Sequence, residues 1–481
     1  MLPVFDPQDS SCKTPFGAVP CGTTVTFTLR DETYYACELL VRREFSGMDE
    51  AVPLPPAECG FSGVYTAPAA PELCWYGFRF TRDDGSTVCL GKNGWCGQDA
   101  LTRWQLTVYE DTPTPAWFGE GVTYQIFPDR FRRISVPEPE GMVGHRWVHP
   151  CWDDQPVFLP EENGQITNRD FFGGSLAGIT EKLDYLQSLS VSTIYLNPIF
   201  EAGSNHRYNT ADYLAIDPML GTEEDFRTLC REAHDRGIRI ILDGVFNHTG
   251  SNSRYFNADG FYPEPGAAQS KDSPYFPWYS FHPWPTEYDA WWGIHTLPAV
   301  NEDAPDYRRF IISDEDSVVR RWLRCGADGW RLDVADELPD YFIAAIRTAI
   351  TQEKPDGYLL GEVWEDGSNK IAYSRRRRYL LGQETHGLMN YPFRTALLAW
   401  LGGGDAADFR RGMETIRENY PPAAFYGAMN FLGTHDTARI LTLLGAEDIP
   451  ADKPERAAYR LSPAELARGQ RRLRLAGMLL Y

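Results

Sequence analysis

Four short clusters of polar side chains close apolar runs in the second half of the chain: DGVFNH at 243–248, GWRLDVADE at 329–337, GEVW at 361–364 and FLGTHD at 431–436. Arg331 and Asp333 are two residues apart, so on a strand they share a face while Trp330 and Leu332 take the other. A guanidinium that close favours an ionised carboxylate, which is what a nucleophile requires. Glu362 stands among apolar neighbours in LLGEVW, which are expected to raise its pKa and keep it protonated as a general acid. Two carboxyl groups in opposite protonation states are the equipment for breaking a glycosidic bond. Adjacent strands lie about 4.8 Å apart, so a separation of about 5 to 5.5 Å, the spacing of a covalent, retaining route, is within reach.

These clusters need strands to present them. Apolar runs at 122–128, 191–198, 238–248, 328–335, 358–364, 387–393 and 428–436 read as strands, with amphipathic helical stretches such as 176–189, 222–237 and 339–350 between them. Repeated strand-then-helix units predict a parallel sheet with helices outside, and seven in a row predict an α/β fold of the (β/α)8-barrel type that lacks its eighth unit. The chain stops at LRLAGMLLY, inside the helix expected after strand 7, so a truncated barrel with an exposed parallel edge is expected, with stability and activity to match. In such barrels chemistry sits at the C-terminal strand ends. Strand 3 supplies Asp243, Asn247 and His248 there, strand 4 Arg331 and Asp333, strand 5 Glu362, and strand 7 His435 and Asp436. Asp328 precedes its strand and belongs at the opposite end. Asp336, Asp340 and Asp366 read as loop or cap residues.

Before the barrel, residues 1–112 show short β-patterned segments at 23–30, 34–43, 73–80, 86–91 and 103–110, the pattern of an antiparallel β-sandwich. The expected division is therefore 1–112 sandwich, 113–248 first barrel part, 249–304 an aromatic, Pro- and Gly-rich loop domain inserted after strand 3, and 305–481 the second, incomplete barrel part. A net charge of −21 gives no surface for nucleic acid, and the single basic run, Arg375–Arg378, reads as a solvated helix face. No 18-residue apolar stretch and no export signal occur, so a cytoplasmic, non-membrane protein is expected. Ten cysteines, seven before residue 100, are then read as reduced thiols.

The four motifs, in this order and on these strand ends, resemble the α-amylase family of glycoside hydrolases, and within it the neopullulanase, cyclomaltodextrinase and amylopullulanase-like branch. The resemblance implies Asp333 as nucleophile, Glu362 as general acid/base and Asp436 as the third, transition-state-stabilising carboxylate. It implies that Arg331 orients Asp333 and that His248 and His435 bind the sugar on the non-reducing side of the scissile bond. His206 and Tyr208, in SNHRYNTADY at 204–213, would contact and stack on the same sugar. Glu337, four residues after Asp333, marks the neopullulanase-like branch, as does WWGIHTLPAVN at 291–301. Asp243 and Asn247 are expected as structural support.

Related enzymes often bind calcium through an acidic segment after the first strand and an Asp following a Gly-Gly pair. Here those positions read RFRRISVPEPEG and FFGGS, with Ser175 in place of the Asp. Calcium needs several oxygen ligands, so no cofactor is expected, and calcium remains an alternative that these residues disfavour. The implied function is retaining hydrolysis of α-1,4-glucans such as maltodextrins, cyclomaltodextrins, pullulan or starch. The alternatives are glucan transglycosylation at the same site and a non-catalytic glucan-binding fragment. A homodimer formed through the N-terminal domain is implied by analogy alone.

Overall fold

The computed structural model describes residues 4–31, 33–162, 164 and 166–481. Two compact units emerge, one from the N-terminal region through Thr114 with Trp364–Gly387 and Tyr391–Ala428, the other from Pro115–Val363, Leu388–Asn390 and Met429–Tyr481.

In the first unit the described strands are β1 (Lys13–Thr14), β2 (Val19–Pro20), β3 (Thr24–Leu29), β4 (Ala36–Arg43), β5 (Asp49–Leu54), β6 (Pro56–Ala57), β7 (Gly60–Thr66), β8 (Glu72–Thr81), β9 (Thr87–Gly91), β10 (Gly94–Cys96) and β11 (Trp104–Tyr109). They form a sheet ordered β1-β3-β7-β6 and a second ordered β10-β9-β8-β11-β2, to which β4 and β5 add through β8. The expected sandwich is present, antiparallel except where β11 runs parallel to β2. Alternation builds its core: Val25, Phe27 and Leu29 of β3, Cys37, Leu39 and Val41 of β4, and Phe78 and Phe80 of β8 are buried together. Of the strands six residues or longer, two escaped the sequence reading, because β5 carries a proline and β7 two glycines, residues that read as breakers. At Gly60, with φ 128°, an added Cβ would lie 2.1 Å from the Leu29 carbonyl oxygen, so only glycine lets β7 start there.

The basic run is not a helix face. Strands β21 (Ile371–Ala372) and β22 (Arg375–Arg376) are joined by Tyr373 and Ser374, both at positive φ (50° and 62°), a two-residue turn of the primed kind that suits hairpins. The cations then lie on aromatic rings, Arg376 5.4 Å from Trp75 and Arg378 4.0 Å from Phe45. Residues 387–393 also depart from expectation. Only Gly387–Leu388 is strand, and a helix begins at Tyr391, where Pro392 sits in the first turn and its missing N–H has no intrahelical partner to lose.

The second unit is built on a parallel sheet whose strands follow chain order: β12 (Val122–Ile126), β15 (Val191–Leu196), β18 (Arg239–Gly244), β19 (Gly329–Leu332), β20 (Tyr358–Gly361) and β23 (Gly387–Leu388). Two small ribbons, β13 (Trp147–Val148) with β14 (Asp170–Phe171) and β16 (Phe200–Ala202) with β17 (Thr210–Ile216), occupy the connections after the first two strands. Consecutive parallel neighbours require crossovers, and as far as β20 helices Leu176–Glu181, Leu183–Ser188, Glu223–His234, Val318–Arg324 and Asp340–Glu353 provide them. Helix 223–234 shows why it forms: a Thr222/Asp225 capping box starts it, and Phe226, Leu229, Cys230 and Ala233 place one apolar stripe against the sheet. The helix expected over 176–189 breaks in two at Lys182.

The seventh strand is reduced to one parallel bridge, Met389 to Met429. Beyond it Thr434 and Thr437 exchange side-chain and backbone hydrogen bonds, and that turn competes with the ladder. Within β19, Gly329 faces Tyr358, and an added Cβ would lie 2.2 Å from its carbonyl oxygen, so the strand enters between its neighbours only with glycine.

Candidate active site

Strand alternation delivers β19 as anticipated. Trp330 and Leu332 are fully buried, the indole directed to the Val319 carbonyl on the helix behind the sheet, while Arg331 points the other way. Asp328 stays at the N-terminal end, buried and held by His234, Arg239 and Lys354. It is a structural anchor, not a solvated loop charge.

Arg331 organises the C-terminal end. Its side chain is wholly buried; Nη1 lies 2.8 Å from Asp243 Oδ1 and 2.7 Å from Asp333 Oδ1, and Nη2 lies 2.9 Å from Glu362 Oε2. One guanidinium therefore faces carboxylates from three neighbouring strands. The planar fork suits that task, since it offers donors in fixed, divergent directions. Asp243 is completed by hydroxyl donors from Tyr195 (2.5 Å) and Tyr208 (2.7 Å) on its other oxygen.

The electrostatics differ from expectation in two ways. Burial pushes the Asp333 carboxyl well above the usual carboxylate range, and repulsion from Glu362 and Asp243 adds to that, while Arg331 opposes it. Burial also raises the pKa of Asp243, with Arg331 again opposing it. Glu362, for its part, does not sit in an apolar shell. Its Oε2 is paired with Arg331 and accepts the Val334 backbone N–H at 2.7 Å. Asp436 is half-exposed beside them, its pKa raised to about 6 by burial and by Glu362.

Three histidines surround this cluster with one pattern. His206 Nδ1 accepts from the Tyr208 N–H (3.0 Å), His248 Nδ1 from the Asn247 amide (3.0 Å), and His435 Nδ1 from the Gln125 (2.9 Å) and Asn197 (3.1 Å) amides. With Nδ1 an acceptor, each neutral ring carries its proton on Nε2. Burial lowers the pKa to about 4 for His206 and His248 and about 3 for His435, so all three are neutral N–H donors near pH 7. His435 Nε2 lies 3.3 Å from Asp436, and the Tyr208 ring is parallel to the His435 ring at 5.1 Å. His248 is stacked on Trp291, and next to that residue Trp292, at φ 50° and 79% exposed, donates its indole N–H to Glu337 at 3.2 Å.

Neutral, desolvated histidines carry a pH signature. Each holds fewer protons folded than unfolded between its folded pKa and 6.5, so its contribution to stability is complete above pH 6.5 and is lost as the pH falls. Asp436, with a raised folded pKa, contributes in the opposite sense, its share present at low pH and lost on rising through about 6. The expected result is a urea midpoint that drops from pH 6.5 to 4, and a shallower drop in His248→Gln. Parallel profiles for the two proteins would refute the assignment.

The residues missed by sequence reading were Tyr195, Gln125 and Asn197, while Trp292 lay in the 291–301 segment read only as a mark of the branch. Gln125 and Asn197 close the first two strands, so the strand-end rule used for the other motifs would have found them. Where calcium ligands are expected in relatives, Arg130 reaches Asp129 (2.7 Å) and Asp170 (3.3 Å), and Ser175 caps a helix by accepting the Gly178 N–H. Among the described residues no group of three or more His, Cys, Asp or Glu is placed to hold a metal.

Comparison with known proteins gives the geometry a context. Residues 125–460 match the model of the α-amylase catalytic domain. The amylopullulanase of Thermoanaerobacterium saccharolyticum is 36% identical over an alignment covering 96% of this chain and 40% of its own length, so this chain spans less than half of that relative. Among solved structures, the cyclic α-maltosyl-(1→6)-maltose hydrolase of Arthrobacter globiformis superposes with a TM-score of 0.57 at 35% identity, covering 69% of each chain. The type III pullulan hydrolase of Thermococcus kodakarensis gives 0.62 at 29% identity, covering 99% of this chain and 78% of its own.

Proposed function

Since this chain belongs to the α-amylase family, we propose that it hydrolyses α-glucans by a retaining double displacement at the Arg331-centred cluster. The observation that carries the reading is the single buried guanidinium ion-paired with Asp333 and Glu362 at adjacent strand ends. Asp333 attacks the anomeric carbon while Glu362 gives its proton to the departing glycosidic oxygen, leaving a glycosyl ester on Asp333. Glu362 then takes a proton from water, whose oxygen attacks the same carbon and frees Asp333. Asp436 faces the sugar as charge develops at its ring, and the Nε2–H groups of His206, His248 and His435 bind its hydroxyls. Neutral donors suit an uncharged sugar, because they add no cation to compete with Arg331 for the carboxylates.

The names of the relatives support an α-glucan, with pullulan and cyclic maltodextrins the substrates to try first. Chromatography of products from pullulan, a cyclomaltodextrin and starch tests this. Panose from pullulan is expected, and no sugar released from any of the three would end the proposal. Glu337 tunes the acceptor side through Trp292: Glu337→Ala frees the exposed indole and is expected to raise KM for cyclomaltodextrin about threefold to tenfold with kcat little changed. An unchanged KM would show that the indole does not meet substrate.

A further inference from the structure

This inference rests on the reading of Asp333 and Glu362 as the reacting pair, and it concerns the residue between them in the chain of contacts. Asp333 donates its N–H to the Gly244 carbonyl on one side of β19, and Glu362 donates its N–H to the Leu332 carbonyl on the other, both at 3.1 Å. In a parallel ladder alternate residues bond to opposite neighbours, so the next rung toward β20 would run from the Val334 N–H to the Glu362 backbone carbonyl. It runs instead to the Glu362 side chain, at 2.7 Å from Oε2.

The diversion falls where the backbone leaves the extended region. Val334 has φ 39°, a left-handed conformation that a β-branched residue all but never adopts. The chain turns away from β20 there, and the Glu337 N–H closes a turn back onto the Val334 carbonyl at 2.8 Å. Such strained residues persist only where the surroundings impose them, and they gather at functional sites.

We infer that Val334 is a positioning residue whose backbone N–H, bonded to the Glu362 side chain where the chain leaves the ladder, fixes the Glu362 carboxyl relative to Asp333. The peptide that holds the acid is the one that leaves the nucleophile, so a single rigid plane ties the two groups together. Oε2 accepts the Val334 N–H and is ion-paired with Arg331 Nη2, and the proton that Glu362 gives up is carried by Oε1. That proton passes to the glycosidic oxygen as its bond to the anomeric carbon breaks and the bond from Asp333 forms.

The test exploits leaving groups. Fluoride departs without a proton, so α-maltosyl fluoride needs Asp333 but not a well-placed Glu362 for the first step, whereas maltotriose needs both. Replacing Val334 by α-hydroxyisovaleric acid exchanges the N–H for an ester oxygen. The expected result is a fall in kcat/KM on maltotriose of about tenfold to a hundredfold, with α-maltosyl fluoride changed less than about twofold. Equal losses on the two substrates, or none, would overturn the inference. Should the ester variant not accumulate, Val334→Gly keeps the N–H but releases the backbone. It is expected to lose maltotriose activity selectively, and Val334→Asn, which tolerates the left-handed region, to recover the substrate ratio relative to Val334→Gly; no selectivity in this pair overturns the inference as well. A wild-type protein inert toward both substrates would instead bring down the glycosidase reading, and this inference with it.

Discussion

Asp333→Asn is expected to lower kcat on maltodextrins by about four to six orders of magnitude, with Tm little changed. The substitution is isosteric, and the amide oxygen can still accept from Arg331 Nη1, which lies 2.7 Å from Oδ1 in the native protein. What is lost is the nucleophile itself, so α-maltosyl fluoride should be lost along with maltodextrin. Glu362→Gln should fail on maltodextrin but retain attack on the fluoride, because only the proton donor is gone. Near-normal maltodextrin turnover by either variant would sink the role given to that residue. The pair of substrates separates nucleophile from acid in a way that a loss of activity alone does not.

The legibility of this site in the sequence followed the range of the interactions. Arg331, Asp333 and Trp330 were placed correctly because strand alternation is local, and two-residue spacing needs no knowledge of the partner strands. The surroundings of Glu362 were misread because its polar neighbours come from the next strand: the guanidinium of Arg331 and the N–H of Val334 are invisible in LLGEVW. Burial of Asp333, which works against Arg331, likewise depends on how the whole strand end is enclosed. The basic run at Arg375–Arg378 failed for the same reason, since the rings that receive it, Phe45 and Trp75, lie about 300 residues earlier. Ladder length was the other weak point. An apolar run announces a strand, but local turn chemistry at Thr434 and Pro392 decides where it stops.

Removing the guanidinium should be felt in stability as well as in rate. Arg331→Leu leaves Asp243, Asp333 and Glu362 buried without the charge that faces all three, and breaking a buried pair by deleting one partner costs about 3 to 5 kcal/mol. Burial already raises the pKa of Asp243 and Asp333 while Arg331 opposes it, so without the guanidinium their folded pKa values must rise further. A group whose folded pKa is raised contributes stability at low pH that is lost as the pH climbs through that value. The deficit of Arg331→Leu relative to wild type should therefore be small near pH 4 and grow toward pH 8, the reverse of the histidine-driven trend in the native protein. Arg331→Lys should recover part of the charge but not the divergent geometry, and so restore more stability than activity. Urea titrations of the three proteins across this range decide the matter. A deficit independent of pH would mean that Arg331 stabilises by packing alone, and that the cluster it centres is not held together by charge.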